Sequence, residues 1–403
     1  MNQPPTRREV VRWSAALASG LLLPRIGARA QETVAEVPPV QAVPTFRGDA
    51  ARAYQGSGPV PRAPVVRWSF EIGSRVEALP GGGNRDWRGT GWSGQAALDG
   101  GRIYIPGLDG VCYCRDAGSG EPVWAAAVGD SIKGSITLWD QRVLFGSRDN
   151  HLHCLSRDDG AEQWQLPCGG KDVDSTPAVV GARAYFGAED HNLYCINAAG
   201  EVLWSHRTGG SIESSPAVVD ERVYVGSYDG YLHCVRADDG TPLWRFPTGD
   251  DTDSSPVVVG DAVFVGAENG FLYAVDRVTG ERIWRYRAGA GIWGTPAVVD
   301  GRVYVGADDA MVHCVGADDG RVLWRGDVAA GMWASPTVVD GLVVIGDWNG
   351  VLNALDADTG RSVWTVETGT YIVSSACVAG GRIYIGSRNG TFYCFEDAAE
   401  VTP

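Results

Sequence analysis

Ser254 to Trp284 reads SSPVVVGDAVFVGAENGFLYAVDRVTGERIW: three short apolar runs separated by Gly-Asp, Glu-Asn-Gly and Val-Thr-Gly, with a tryptophan at the end. Apolar runs of this length broken by turn residues read as strands joined by tight turns. A fourth strand follows at the tryptophan. The pattern recurs along the chain, with a tryptophan every 40 residues at Trp124, Trp164, Trp204, Trp244, Trp284, Trp324 and Trp364, and an eighth, Trp68, 56 residues before the first of these. A fixed period in this range indicates a repeat architecture.

Four-stranded antiparallel meanders repeated around an axis form the blades of a β-propeller. Eight repeats predict an all-β, eight-bladed propeller. The segment Pro64 to Gly73 around Trp68 matches the fourth strand of a repeat with nothing before it, whereas Ser374 to Glu396 supplies three strands and no tryptophan. The N-terminal strand is therefore expected to complete the last blade, which closes the ring and removes two free edges.

Ala274-Val-Asp276-Arg-Val-Thr279-Gly280-Glu-Arg-Ile-Trp284 and Ala354-Leu-Asp356-Ala-Asp-Thr359-Gly360-Arg-Ser-Val-Trp364 resemble the tryptophan-docking motif A-x-D-x-x-x-G-x-x-x-W of the PQQ-type propeller repeat. The resemblance covers Phe46 to Glu396. It implies that each docking tryptophan stacks on the turn of the neighbouring blade. The family includes quinoprotein dehydrogenases and outer-membrane assembly lipoproteins, so the resemblance defines a fold more sharply than an activity.

Residues 1–30 read as a segment outside the fold. Thr6-Arg7-Arg8-Glu9-Val10-Val11-Arg12 resembles a twin-arginine export motif, Trp13 to Leu23 is apolar but too short to span a bilayer, and Ala28-Arg29-Ala30 fits a cleavage site before Gln31. A periplasmic or extracellular protein is expected, with no membrane span and, since no cysteine follows the apolar run, no lipid anchor. Residues 31–63 read as a Pro/Ala-rich linker or leader, 64–397 as the propeller and 398–403 as a tail. Phe46-Arg47-Gly48-Asp49 resembles a leader segment ahead of the first blade in related propellers and is expected along the side or rim. Without residues 1–30 the chain keeps 29 basic and 48 acidic side chains, a net charge of −19. Such a surface excludes nucleic acid and anionic membranes as partners; a soluble monomer is expected.

Six of the nine cysteines, Cys114, Cys154, Cys195, Cys234, Cys314 and Cys394, occupy the first position of the docking motif. They are expected to be buried spacers one blade apart, too distant for disulfides. His153, His233 and His313 replace the tyrosine found at Tyr113, Tyr194, Tyr273 and Tyr393 and read as half-buried rings. His151 shares a strand face with His153, the two positions from which a metal pair could be built.

Function is expected at the end of the propeller that carries the B–C turns and D–A connections. Taking the residue two before each Ser/Thr-Pro step gives one side chain per blade at the funnel mouth: Ser93, Lys133, Asp174, Glu213, Asp253, Trp293, Trp333 and Val373. Three consecutive carboxylates thus face two consecutive tryptophans. The B–C turns add Arg148, His191, Tyr228, Trp348 and Arg388. The excess between Trp68 and Trp124 falls in a D–A connection, Gly73 to Gly94, read as a loop over the funnel with Arg85, Trp87, Arg88 and Trp92 pointing in. A concave, charged and aromatic surface is a binding site by default. The first reading is an exported binding or scaffolding protein that holds a protein partner or small ligand there and needs no cofactor. One alternative is a quinoprotein oxidoreductase, with PQQ stacked on Trp293 or Trp333 and Ca²⁺ held by Glu213, Asp253 and Asp174. Another is a lyase or hydrolase using the same funnel on a cationic or sugar ligand.

Overall fold

Each 40-residue unit folds into a four-stranded antiparallel meander because its apolar runs are only long enough for strands of three to six residues and each ends at a turn residue. The computed structural model describes residues 10–12, 42–53, 56–78, 84–91 and 94–398. Eight such sheets form the propeller, and in blade 5 strands A to D are Val257–Val259, Ala262–Gly266, Phe271–Asp276 and Arg282–Arg287. Blade 8 closes as expected: Pro64–Glu71 pairs antiparallel with Thr391–Asp397 as its outermost strand. Among the described residues no helix is long and apolar enough to cross a membrane.

Apolar side chains on the faces of adjacent blades share one core. Phe264, Leu272 and Trp284 of blade 5, for example, pack with Val298, Val303 and Val315 of blade 6. The docking tryptophans fasten these pairs. Trp284 donates from Nε1 to the Ala317 carbonyl at 2.8 Å, Trp324 to that of Ala357 at 2.9 Å and Trp204 to that of Ala237 at 3.0 Å. Trp68, Trp124, Trp164 and Trp244 make the same bond at 3.1–3.3 Å. The indole lies on the motif glycine of the next blade, which has positive φ and no room for a side chain: a methyl group at Gly320 would lie 2.6 Å from the Trp284 ring. Trp364 is the exception, because its neighbour is blade 8, where the N-terminal strand replaces the C–D turn. It has neither the glycine nor a hydrogen-bond partner for Nε1.

All nine cysteines are buried free thiols. His153, His233 and His313 are buried, with Nε2 3.0, 2.9 and 3.1 Å from Asp149, Asp229 and Asp309 in the preceding turn. His151 Nδ1 lies 2.7 Å from the Asp149 carbonyl. The histidines therefore brace B–C turns.

Two features depart from expectation. Val10–Arg12 lies as a fifth strand on the outer edge of blade 1, against Pro122–Ala127, although residues 1–30 read as separate from the fold. The leader does not run along the side or rim: residues 42–53 thread the central channel. Val43 bridges to Leu98, and the carbonyls of Pro44, Ala50 and Ala51 accept from Leu138, Val218 and Val258 on innermost strands. Buried Arg47 donates to the carbonyls of Pro336 at 2.5 Å and Thr295 at 2.7 Å. Arg52, fully buried, donates to those of Pro216 at 3.0 Å and Thr176 at 2.7 Å. The innermost strand of a blade is an unpaired edge, and its carbonyls need donors; the leader supplies them. Burial pulls both guanidinium groups down to about 9.

The seam predicts a difference between two otherwise equivalent tryptophans. Trp284→Phe removes a buried N–H···O bond and Trp364→Phe does not, so the first should cost about 1 kcal/mol more than the second in chemical denaturation. Equal losses would show that the indole N–H plays no part in blade docking.

Candidate functional site

Two repeated locks position the mouth of the funnel. A strand B glycine in one blade leaves space for an apolar residue of the following D–A connection: Val173 over Gly146, Ile212 over Gly187, Ile292 over Gly266, Ile372 over Gly346, where an added Cβ would come within 2.4 Å of the covering side chain. The residue after each such anchor is one of the expected inner set: Asp174, Glu213, Trp293, Val373. Three residues beyond the anchor, a backbone N–H donates to the Ser or Thr hydroxyl of the next blade. The chain of bonds runs Gln95 to Ser135 (2.8 Å), Ser135 to Thr176 (2.9 Å), Thr176 to Ser215 (2.9 Å), Ser215 to Ser255 (2.9 Å), Ser255 to Thr295 (3.2 Å), Thr295 to Ser335 (2.9 Å) and Ser335 to Ser375 (3.3 Å). Gln95 Nε2 reaches the Ala376 carbonyl at 2.8 Å and closes the circle. In blade 1 the anchor over Gly386 is Thr90, five residues ahead of Gln95 instead of three. The fixed offset that pointed to Ser93 therefore fails there; Trp92 and Ser93 lie outside the described residues.

A second circle comes from the B–C turns, each turn residue donating its backbone N–H to a D–A carbonyl at 2.9–3.2 Å. It consists of Arg148, Glu189, Tyr228, Glu268, Asp308, Trp348 and Arg388. Glu189, not His191, is the blade 3 member. Glu268 and Asp308 were missed, although the 40-residue period from Arg148 to Arg388 would have found them. Taken together, the two circles give each of blades 3 to 6 at least one acid, although blade 4 sets Glu213 against Tyr228 and blade 6 sets Trp293 against Asp308; blades 7, 8 and 2 carry aromatic, apolar and basic groups.

On the basic side, the expected loop is a hairpin, Ser74–Ala78 paired with Asn84–Arg88. Trp87 is buried and donates to Glu77 at 2.8 Å, with the guanidinium groups of Arg148 and Arg388 over its ring at 5.0 and 5.3 Å. Arg88 points out and pairs with Asp86; the side chain of Arg85 lies outside the described residues. Between hairpin and funnel wall is a cleft of about 840 Å³ lined by Asp86, Trp87, Lys133, Arg148, Trp333, Trp348, Tyr371, Val373 and Arg388. Trp348 and Tyr371 are exposed at 38 and 51%. Trp333 stands edge-on to Trp348 at 5.1 Å and tilted to Trp293 at 5.2 Å.

On the acidic side, Lys133 is buried and paired with Asp174. Burial opposes its charge, but Asp174 and Glu213 outweigh that and hold the ammonium above its ordinary range. Arg148 pairs with Asp172 at 2.6 Å. Glu213 and Asp253 are both raised, chiefly by burial; Asp253 and Asp174 add to the shift of Glu213, while Tyr228 and Lys133 partly offset that of Asp253. Glu268 is pushed up to about 7 by burial and by Asp253 and its neighbours. A small cavity of about 50 Å³ lies where Glu213, Asp253, Trp293 and Trp333 meet, with Phe46 of the leader also on its wall. One oxygen each of Asp172, Asp174 and Glu189 lie within 4.8 Å of one another, the one grouping among the described residues with the spacing of a cation site.

These volumes bear on PQQ. The carboxylates and the Trp293–Trp333 pair meet only in a space for a few waters, whereas the cleft large enough for a fused-ring quinone has Asp86 as its one carboxylate. The arrangement does not fit a quinone stacked on those indoles beside a carboxylate-bound Ca²⁺.

Residues 170–402 match the family model described as the β-propeller of the β-alanine-activating enzyme. No curated protein matches the sequence. Among solved structures, BamB from Moraxella catarrhalis aligns with a TM-score of 0.66 at 18% identity over 82% of this chain and 100% of that one. The quinohemoprotein alcohol dehydrogenase ADHIIG from Pseudomonas putida HK5 aligns with 0.74 at 14% over 88% and 80%. A europium-containing methanol dehydrogenase aligns with 0.74 at 13% over 88% and 98%. At such identities the likeness is one of fold.

Carboxylates raised in the folded state hold protons that the unfolded chain has already released. Stability should therefore fall as pH rises from the ordinary carboxylate range through neutrality. Glu213→Gln should flatten this fall and raise the thermal midpoint at pH 8 by at least about 2 °C. Parallel curves for the two proteins between pH 5 and 8 would contradict the assignment.

Proposed function

The chain belongs to the β-propeller family described for the β-alanine-activating enzyme, a PQQ-type propeller family, and from that premise we propose that it is a binding or scaffolding protein that holds a partner or small ligand at its funnel face. The observation that carries this reading is the cleft between the hairpin and blades 7, 8 and 2. It is concave, roomy and lined by four aromatic rings and three cations, the make-up of a recognition surface. Among the described residues that line it there is no Ser, Cys or His, and its lysine, Lys133, is paired with Asp174, so no Ser–His or Cys–His pair supports a hydrolase there. The quinoprotein alternative draws on fold likeness alone and meets the volume mismatch described above.

The same reading has the protein exported by the twin-arginine route, with residues 1–30 removed before Gln31, and working in the periplasm or outside the cell as a monomer. Removal would leave residues 42–53, and with them the channel plug, inside the mature protein. N-terminal sequencing of protein recovered from export-competent and export-deficient hosts tests this, the expected mature start being Gln31.

For the site, Trp348→Ala and Tyr371→Ala should leave the thermal midpoint within about 2 °C, since Tyr371 is half exposed and Trp348 more than a third exposed at the cleft, outside the blade cores. Each should weaken ligand or partner capture at least tenfold. Titration with PQQ and Ca²⁺ should give no saturable tryptophan quenching. Saturable quenching with dye-linked alcohol or sugar oxidation would replace the binding reading with the quinoprotein one.

A further inference from the structure

The cavity enclosed by Glu213, Asp253, Trp293, Trp333 and Phe46 stands apart from the cleft in size and chemistry, with Trp333 as the wall between them. Its polar lining is acidic and incompletely satisfied: both oxygens of Asp253 and Oε2 of Glu213 are sealed from solvent, and the Tyr228 hydroxyl beside the two carboxyls is a single group set against those three oxygens. Buried carboxylate oxygens in that condition cost stability unless something pairs with them. Lys133, the basic side chain nearest by along the inner circle, is paired with Asp174. The remaining lining is aromatic. Asp308 accepts from Trp293 Nε1 at 2.9 Å, so that indole's N–H is engaged and its carbon surface is what it can offer.

We propose that this cavity binds the head group of a small organic ammonium ion, primary or monomethylated, with Glu213 and Asp253 as its anionic partners and Trp293, Trp333 and Phe46 as an aromatic cage. Burial keeps protons on the two carboxyls until a cation enters, so binding releases protons and tightens as pH rises. The assignment rests on the binding reading of the funnel face and names the ligand class for its deepest part. Three features select an organic cation over a metal. Ca²⁺ takes six to eight oxygen ligands, and indole and phenyl rings occupy the positions where such ligands would stand. An ammonium bearing carbon loses less hydration and gains from the negative faces of aromatic rings. The volume of about 50 Å³, under two waters' share of the liquid, suits a primary or monomethylated head group and is too small for trimethylammonium; any longer substituent would have to pass the edge of Trp333 into the cleft.

The test is calorimetric and fluorescence titration of the full-length protein with methylammonium, trimethylammonium and choline chlorides, against sodium and calcium chlorides at matched ionic strength. Saturable binding of at least one ammonium is expected, with indole quenching and a rise in the thermal midpoint. Asp253→Asn and Glu213→Gln, which keep the side-chain shape, remove the group that can ionise and should fold, are expected to weaken binding at least tenfold, and Trp293→Phe to weaken it less than Trp293→Ala. Absence of saturable ammonium binding, binding unchanged in both carboxylate variants, or preferential binding of Ca²⁺ would each overturn the proposal. Trp348-dependent capture measured on the same samples separates the failures. If capture persists while ammonium binding is absent, the cage alone is refuted; if both are absent, the binding reading falls with it.

Discussion

The hydrogen bond from one blade's backbone N–H to the Ser or Thr hydroxyl of the next sets the geometry on which the rest depends. A propeller blade tapers toward the axis, where its short inner strand has an unpaired edge and little apolar surface. Packing between blades is strongest farther out, where the tryptophans dock. Without a fixed spacing at the inner radius, small errors in tilt would accumulate around eight blades. The hydroxyl circle from Ser135 to Ser375, closed by Gln95, holds that spacing. The leader completes it by donating Arg47 and Arg52 to the inner carbonyls of four blades.

This girdle also explains why the funnel side chains can vary without disturbing the fold. Asp174, Glu213, Trp293 and Val373 each follow an apolar anchor over a strand B glycine, and the first three are pinned again by the hydroxyl bond beyond it. Their backbone is held whatever the side chain is. Asp174, Glu213 and Trp293 can therefore occupy the same position in blades 3, 4 and 6 while the frame repeats. The stability cost of raised, buried acids falls on the B–C and D–A face, away from the docking tryptophans that hold the blades together.

Most of the frame was legible in the sequence because it is periodic. The 40-residue tryptophan spacing, the cysteine spacers and the unmatched strand around Trp68 each led to an arrangement that the structure shows. The inner circle from Lys133 to Val373 followed from one offset, since seven blades share it. What escaped depended on breaks in the period or on contacts remote in sequence. The two extra residues between Thr90 and Gln95 defeat the offset in blade 1. In blade 3 the 40-residue period from Arg148 lands on Ala188, and the one-residue insertion that also places the inner residue at Asp174 moves the turn residue to Glu189 rather than His191. The leader's course could not be read from Phe46-Arg47-Gly48-Asp49, because its partners, the carbonyls of Thr176, Pro216, Thr295 and Pro336, are spread over four blades and carry no side-chain signal.

The filled channel constrains what the funnel can be. With residues 42–53 in the axis and Phe46 against the inner cavity, the funnel has a floor, and anything bound there must enter and leave on the B–C and D–A face. A site of this form does not work by passage through the ring. It works by how well its floor, walls and rim match what is held, and the walls are divided: acids from blades 3 to 6 on one side, aromatic rings and paired guanidinium groups from blades 7, 8 and 2 on the other. Trp333 belongs to both, so a change in its position would be felt by the cavity and the cleft together. The hairpin adds the last wall, held by Arg148 and Arg388 over Trp87 and by Arg75, 3.0 Å from Asp130. These contacts tie one excursion of the chain to blades 1, 2 and 8, so the cleft is shaped by the same ring closure that makes the propeller.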